Sequence, residues 1–348
     1  LAEHHRDFHT LVELCFADAH EEKEDAKRIK LMQAPPPAAV VRVEAYLDTY
    51  GMDFANELYQ HYIRHGALRR LMEPQPQHAA LVSAFLDAHP QYGRLAWVHD
   101  TALGAYDHAR HTLRSTADAE RLDVEAKQRM LSLGKLMHLA TLPRMDDALA
   151  PAQQAALEAW DDALDLGHIQ HRLHQRWSDA AWIDAQTPPE AQAEAIASAV
   201  APLLSERPAL RMLFVSLARD VMAGLVVGGE DMMDLLTLTD RAFAAPPEAP
   251  LTDLAIAAQV FVRLDTPTPA RREAALASLW RRLFLMDDWE ALSDTTSMTD
   301  DQVLHNVQGT VAFHTLQSVL ADASTASTLM APESVSYTHL RAHETSLH

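Results

Sequence analysis

Apolar side chains recur every three or four residues along this chain, and prolines stand in the gaps between the runs. That spacing confines the fold to helices. A period of 3.6 residues places such positions on one face, and proline lacks the amide proton that a helix interior needs. Phe54, Leu58 and Tyr62 give the plainest stripe, four residues apart, with Tyr59 and Ile63 beside them. Gly66 suits the C-terminus of that helix. No segment of appreciable length alternates apolar and polar residues as a half-buried strand would.

The spacing predicts a first helix over residues 1–31, carrying Leu11, Leu14 and Cys15, before Pro35, Pro36 and Pro37 break the chain. Val40, Val43, Tyr46 and Leu47 mark a second, which stops near Gly51. Further helices are expected at 78–88, 91–101, 104–116, 121–140 and 152–175. Pro188 and Pro189 open another, running to about 204; Pro208 opens one ending at Gly228–Gly229; 230–245 and 251–263 fit two more. Thr268 is placed to cap a helix with Pro269 at its first position. The apolar face of that helix is Leu276, Leu279, Trp280, Leu283 and Phe284. Full burial of that face is worth on the order of 10 kcal/mol before conformational entropy is subtracted. Thr299 with Gln302 reads as a capping box for a last helix reaching about Leu320.

The expected fold class is therefore all-α. It is an irregular, solenoid-like helical stack, because the helix–turn–helix units are uneven and share no fixed consensus. A length of 348 residues exceeds what one core usually serves. Pro143–Pro151 is the expected boundary between a segment 1–145 and a C-terminal helical domain 146–330. Residues 331–348 are read as non-native: Ser334 to His348 (SVSYTHLRAHETSLH) lacks a helical stripe and resembles translated vector or adapter. The chain begins with Leu1 rather than Met, so a longer parent protein is expected.

The formal net charge of -20 disfavours direct contact with phosphate backbones or anionic lipid, and would steer a basic surface towards the chain. Cys15 is the only cysteine, so no intramolecular disulfide forms, and a reducing compartment is the simple reading. The most apolar stretch, Leu210 to Val227, contains Arg211, Arg219 and Asp220. It reads as a core helix and not a membrane span.

Chemistry-bearing motifs are sparse. His168, His171 and His174 follow Asp165 at intervals of three. A metal-binding reading would use Asp165, His168 and His171, but no Glu-x-x-His partner and no His-Glu-x-x-His motif accompanies them. Cys15 lies among Leu11, Leu14 and Phe16, as a structural thiol would. Gly224, Gly228 and Gly229 lack the Gly-Lys-Ser/Thr of a phosphate loop. Arg281–Arg282 and Asp287–Asp288 suggest ion pairing between a helix and its following loop, and Trp280 and Trp289 read as core anchors. Metal, cofactor and catalytic residues are accordingly expected to be none.

Several segments resemble the nucleoporin 133 family: Tyr46-Leu-Asp-Thr-Tyr-Gly-Met-Asp-Phe-Ala-Asn-Glu-Leu-Tyr59 with Gly66-Ala-Leu-Arg-Arg-Leu71, Trp97-Val-His-Asp100, and Gly104-Ala-Tyr-Asp-His-Ala109. Met130-Leu-Ser-Leu-Gly-Lys-Leu136, Asp234-Leu-Leu-Thr-Leu-Thr-Asp240 and Leu279-Trp-Arg-Arg-Leu-Phe-Leu-Met-Asp-Asp-Trp-Glu290 come after them in order. The resemblance covers roughly 10–322. It implies a scaffold subunit of the Y-shaped outer-ring complex of the nuclear pore, supporting nucleocytoplasmic transport and mRNA export. It also implies an N-terminal β-propeller, absent from this chain, and end-to-end binding of a nucleoporin 107 homologue by the helical C-terminus. No direct membrane contact is expected from this segment. The candidate contact helix follows Pro151, where Leu166, Ile169, Leu173 and Trp177 are spaced like helix-in-groove anchors; the alternative is that these four are the domain's own core. A helical vesicle-coat or tethering subunit is the competing scaffold reading.

Overall fold

The computed structural model of the chain describes residues 2–16, 37–73, 76–142, 150–180, 183–184, 186–239, 253–264, 268–296 and 298–321. Every regular element among them is a helix, and no strand occurs. The chain divides into two units, Leu1–Ala119 with Met130–Gln153, and Glu120–Arg129 with Gln154–His348.

In the first unit, the opening helix expected over 1–31 is interrupted. A single turn, Ala2–His5, ends at Arg6, whose φ is 51°. Asp7 then starts α1 (8–16) by accepting the Thr10 amide at 3.1 Å. The remainder of that expected helix lies outside the described residues. α2 (Pro37–Tyr50) and α3 (Met52–Arg64) meet at Gly51. The α3 stripe is internal as its spacing predicts: Phe54, Leu58, Tyr59 and Tyr62 are buried with Leu11, Val12 and Cys15 of α1. Tyr46 packs on Phe54 and Tyr59 on Phe85, each pair with ring centroids 5.4 Å apart. Gly66, at φ 68°, lets α3 close: the Ala67 amide reaches Tyr62 O at 2.8 Å and the Gly66 amide reaches Ile63 O at 3.1 Å. This paired closure needs a left-handed residue, which glycine adopts without steric cost.

After α4 (Leu68–Met72), α5 (Ala79–Ala88) and α6 (Gly93–Ala102), α7 (Tyr106–Ala119) is joined to α6 by a side-chain bond. His108 Nδ1 lies 2.8 Å from the buried Asp100 carboxylate. α8 (Val124–Thr141) contributes Met130, Leu131 and His138 as buried residues. His61 is also buried, with its ring 4.8 Å from Phe16 on one side and 4.0 Å from His65 on the other.

The second unit is built on α9 (Pro151–Ser178), which buries Trp160, Ile169, Gln170, Leu173 and Trp177. α10 (Pro189–Val200) packs on α11 (Pro208–Met222), and α12 (Gly229–Thr237) packs on α13 (Asp253–Val262). Gly224, at φ 71°, closes α11 as Gly66 closes α3. The chain leaving that cap is half-buried, and its backbone groups are answered by buried Gln170. The Gln170 amide donates to Leu225 O at 2.5 Å, and its oxygen accepts the Val227 amide at 3.1 Å. Buried backbone groups need such partners.

Thr268 caps α14 (Pro269–Leu285) with Pro269 in the first turn, as its sequence indicates. The α14 face is only partly internal. Leu276, Leu279 and Leu283 are buried and Trp280 packs half-buried against the core, whereas Phe284 is 40% exposed. The acidic pair after α14 does not answer Arg281–Arg282. Arg282 donates to Asp234 and Thr237 of α12, each at 2.5 Å. Asp288 caps α15 (Trp289–Ser293), a helix that the spacing does not predict, by accepting the Ala291 amide at 3.0 Å. Trp289 is 38% exposed and stacks on Phe284, so it is no core anchor. The capping box of Thr299 and Gln302 is present. The single last helix expected to Leu320 is instead two, α16 (Asp300–Gln308) and α17 (Val311–Ala321). The break at Gly309–Thr310 has a definite cause. Buried Asp287 accepts the Val311 and Ala312 amides at 2.9 and 2.8 Å, and Thr310 Oγ1 accepts the Phe313 amide at 3.0 Å.

This packing makes two features measurable. Burial, reinforced by His65 and by Arg64 against an opposing pull from Glu13, holds the His61 imidazole below the ordinary histidine range. A depressed pKa favours the neutral ring in the folded state. The stability it gives is present above the unfolded value of about 6.5 and is lost as pH falls through the folded value. The thermal midpoint of the chain should drop between pH 7.5 and 5.5, and His61→Phe should flatten that slope; parallel slopes would contradict the assignment. Asp287→Ala removes a buried charged acceptor from two amides and should cost about 2–3 kcal/mol in urea unfolding; a loss below 0.5 kcal/mol, on the order of a neutral surface change, would show that α17 caps itself.

Candidate partner-contact site

α9 extends without interruption because Pro151 opens it and no proline follows until Pro188. The side chains at its candidate contact positions point inward. Ile169, Leu173 and Trp177 are 6%, 4% and 2% exposed, and Leu166 is half-buried against the same core. The Trp177 ring lies 6.3 Å from Phe214 of α11. The structure thus brings all four to one apolar cluster, already filled by residues of this chain.

The polar edge of α9 is engaged internally as well. Arg176 grips the buried Asp253 carboxylate with two bonds, at 2.8 and 3.0 Å. Asp162 and Asp165 lie 3.1 and 3.3 Å from the Arg263 guanidinium. Burial nonetheless raises the Asp162 carboxyl, with Arg263 pulling it back down. Asp165 therefore faces an arginine, while His168 and His171 are exposed and His174 is half-buried. Among the described residues no group of three or more His, Cys, Asp or Glu side chains is arranged to hold a metal ion. Cys15 is buried in the core of the first unit.

The outer face near the C-terminal end of the second unit has a different character. α16 carries Val303, Leu304 and Val307 at helical spacing but buries none of its residues. Leu304 and Val307 are 55% and 42% exposed. α16 packs on α15, where exposed Trp289 follows exposed Leu285. Asp300 and Asp301 in the first turn of α16, with Glu290 and Asp294, give this end an acidic, exposed rim. A cleft of about 220 Å³ between α12 and α14 is floored by Met233, Ala274, Ala275 and Leu279. It is flanked by the Glu230–Arg271 and Asp234–Arg282 pairs. Sequence reasoning placed a capped helix at α16 but not the exposure of its stripe, which has the same spacing as that of a core helix; only its burial distinguishes the two.

Among the described residues no helix is long and apolar enough to cross a membrane. The two segments Asp234–Asp240 and Leu279–Glu290 meet through the Arg282 bonds to Asp234 and Thr237.

Comparison with known proteins gives these features a context. Residues 1–344 match the family described as non-repetitive/WGA-negative nucleoporin C-terminal. The chain is 24% identical over 347 residues to "Nucleoporin nup132" of Schizosaccharomyces pombe, an alignment covering 97% of this chain and 27% of that protein. It is 24% identical over 301 residues to "Nucleoporin NUP133" of Chaetomium thermophilum, covering 82% and 21%. It is 31% identical over 143 residues to "Nuclear pore complex protein Nup133" of Danio rerio, covering 40% and 11%. The chain thus spans about a quarter of the length of the first two relatives. With a match that runs from residue 1 to residue 344, this chain belongs to the non-repetitive nucleoporin C-terminal family.

Proposed function

We propose that this chain is a scaffold segment of the Y-shaped outer-ring complex of the nuclear pore, and that its C-terminal part, 146–330, binds a nucleoporin 107 homologue by helix–helix contact. On this reading it acts at the nuclear pore in the nuclear envelope. It supports nucleocytoplasmic transport and mRNA export by holding neighbouring nucleoporins in place, and it performs no catalysis. Family membership supports the scaffold role. The observation that carries the contact is α16, a capped amphipathic helix whose Leu304 and Val307 are exposed. A helix of nine residues has little stability of its own, so its apolar face favours a docked helix. The acidic rim favours a partner with basic flanks. Leu166, Ile169, Leu173 and Trp177 take part from behind, by fixing the core of the unit that presents α16.

A stable contact of this kind buries roughly 800 Å² per partner. The chain and a nucleoporin 107 homologue should co-purify. Leu304→Asp with Val307→Asp should weaken that affinity at least about tenfold, or 1.4 kcal/mol, with the thermal midpoint unchanged. Leu173→Ala should lower the midpoint and reduce binding only in proportion to unfolding. Wild-type affinity in the double variant, or absence of binding by the folded chain, would refute the assignment.

A further inference from the structure

Three Thr-Pro steps occur in the chain, at Thr187, Thr266 and Thr268. They differ in the residues beyond the proline. At the second position after it, Thr187 meets Glu190 and Thr266 meets Pro269, whereas Thr268 meets Arg271, with Arg272 next. A threonine followed by proline and then by a basic side chain is what proline-directed protein kinases accept. Their pocket after the acceptor tolerates a residue without an amide proton, and acidic groups beyond it pair with the cation. The structure presents this segment outward. Thr268, Pro269, Ala270 and Arg271 are all exposed, and Thr268 has extended backbone, with φ −142° and ψ 146°. The Thr268 hydroxyl accepts the Arg271 amide at 3.3 Å, a long bond at a helix end, where opening is least costly.

We propose that Thr268 is a phosphorylation site for a proline-directed serine/threonine kinase, and that the phosphate remains seated on α14 and draws Arg271 away from Glu230. In the transfer, the bond between the γ-phosphorus of ATP and its bridging oxygen breaks and a bond to Thr268 Oγ1 forms. The hydroxyl proton passes to the kinase or to solvent, and ADP leaves.

The surroundings decide where the new charge goes. A phosphate brings nearly two negative charges to the first turn of a helix, where the backbone amides point outward. Arg271 and Arg272 stand three and four residues on, within reach on one helix face. Arg272 is already held, donating to Leu264 O at 3.1 Å and lying 4.6 Å over the Phe261 ring. Arg271 is held by Glu230 at 2.8 Å, but that pair is 60% and 34% exposed, and exposed pairs are weak. The phosphate therefore competes chiefly with Glu230. Phosphorylation loosens this tie between α12 and α14 while leaving the second one, from Arg282 to Asp234 and Thr237, in place.

The test incubates the whole chain with ATP and a cyclin-dependent kinase and maps the product by mass spectrometry. Phosphate should appear at Thr268 and not at Thr187. Thr268→Ala should abolish it, Thr268→Ser should restore it, and Arg271→Ala should slow it several-fold. Phosphate only at Thr187 or Thr266, or none at all, would overturn the acceptor assignment. For the seating, the second ionisation of the phosphothreonine, read by ³¹P resonance, should fall below that of a free peptide spanning 264–273, and Glu230→Gln should lower it further. A value equal to the peptide's would overturn the seating.

Discussion

The carboxylate of Asp253 is almost wholly shut off from water, and the group that meets it there is the Arg176 guanidinium. The pair is bidentate and joins α9 to α13 at the start of the shorter helix. At the far end of α13, Arg263 reaches back to Asp162 and Asp165 of α9. Two ties on a ten-residue helix leave it little freedom. Because α13 packs against α12, α14 and α17, its placement sets theirs. Removing Arg176 would leave an uncompensated buried charge, a loss of about 3–5 kcal/mol. The apolar stripe of α9 supplies the area, and the ion pairs fix which helices share it.

The same logic runs through the other buried polar groups of this unit. Arg282 holds α12 to α14, Gln170 completes the backbone around Leu225, and adjacent Asp287 and Asp288 cap two different helices. These groups take up the helix ends and turns that an irregular stack creates in number, since each short helix leaves unpaired amides and carbonyls. On the proposed reading, a fold assembled this way would offer shape and surface to a neighbouring nucleoporin.

Much of this was legible in the sequence, and the misses have physical causes. The stripe of α3, the Gly66 closure, the Thr268 cap and the Thr299–Gln302 box are local, so three- and four-residue spacing reveals them. The break between α16 and α17 was not legible, because the acceptor for the new helix end is Asp287, more than twenty residues earlier. Phe284 and Trp289 read as core on hydrophobicity alone, yet they stack on each other at the surface. Leu166, Ile169, Leu173 and Trp177 show the converse difficulty: a stripe that fills its own core and one left at the surface have the same period. Only the neighbours that the fold brings to it tell them apart, as they do for α16.

Hydrogen exchange of the chain, alone and with a nucleoporin 107 homologue, tests the central claim most directly. Binding should protect amides of α15 and α16 while those of α9 between Leu166 and Trp177 keep the slow exchange of a closed core. Protection that bypasses α16, or faster exchange along α9 as its stripe leaves the core to meet the partner, would contradict it.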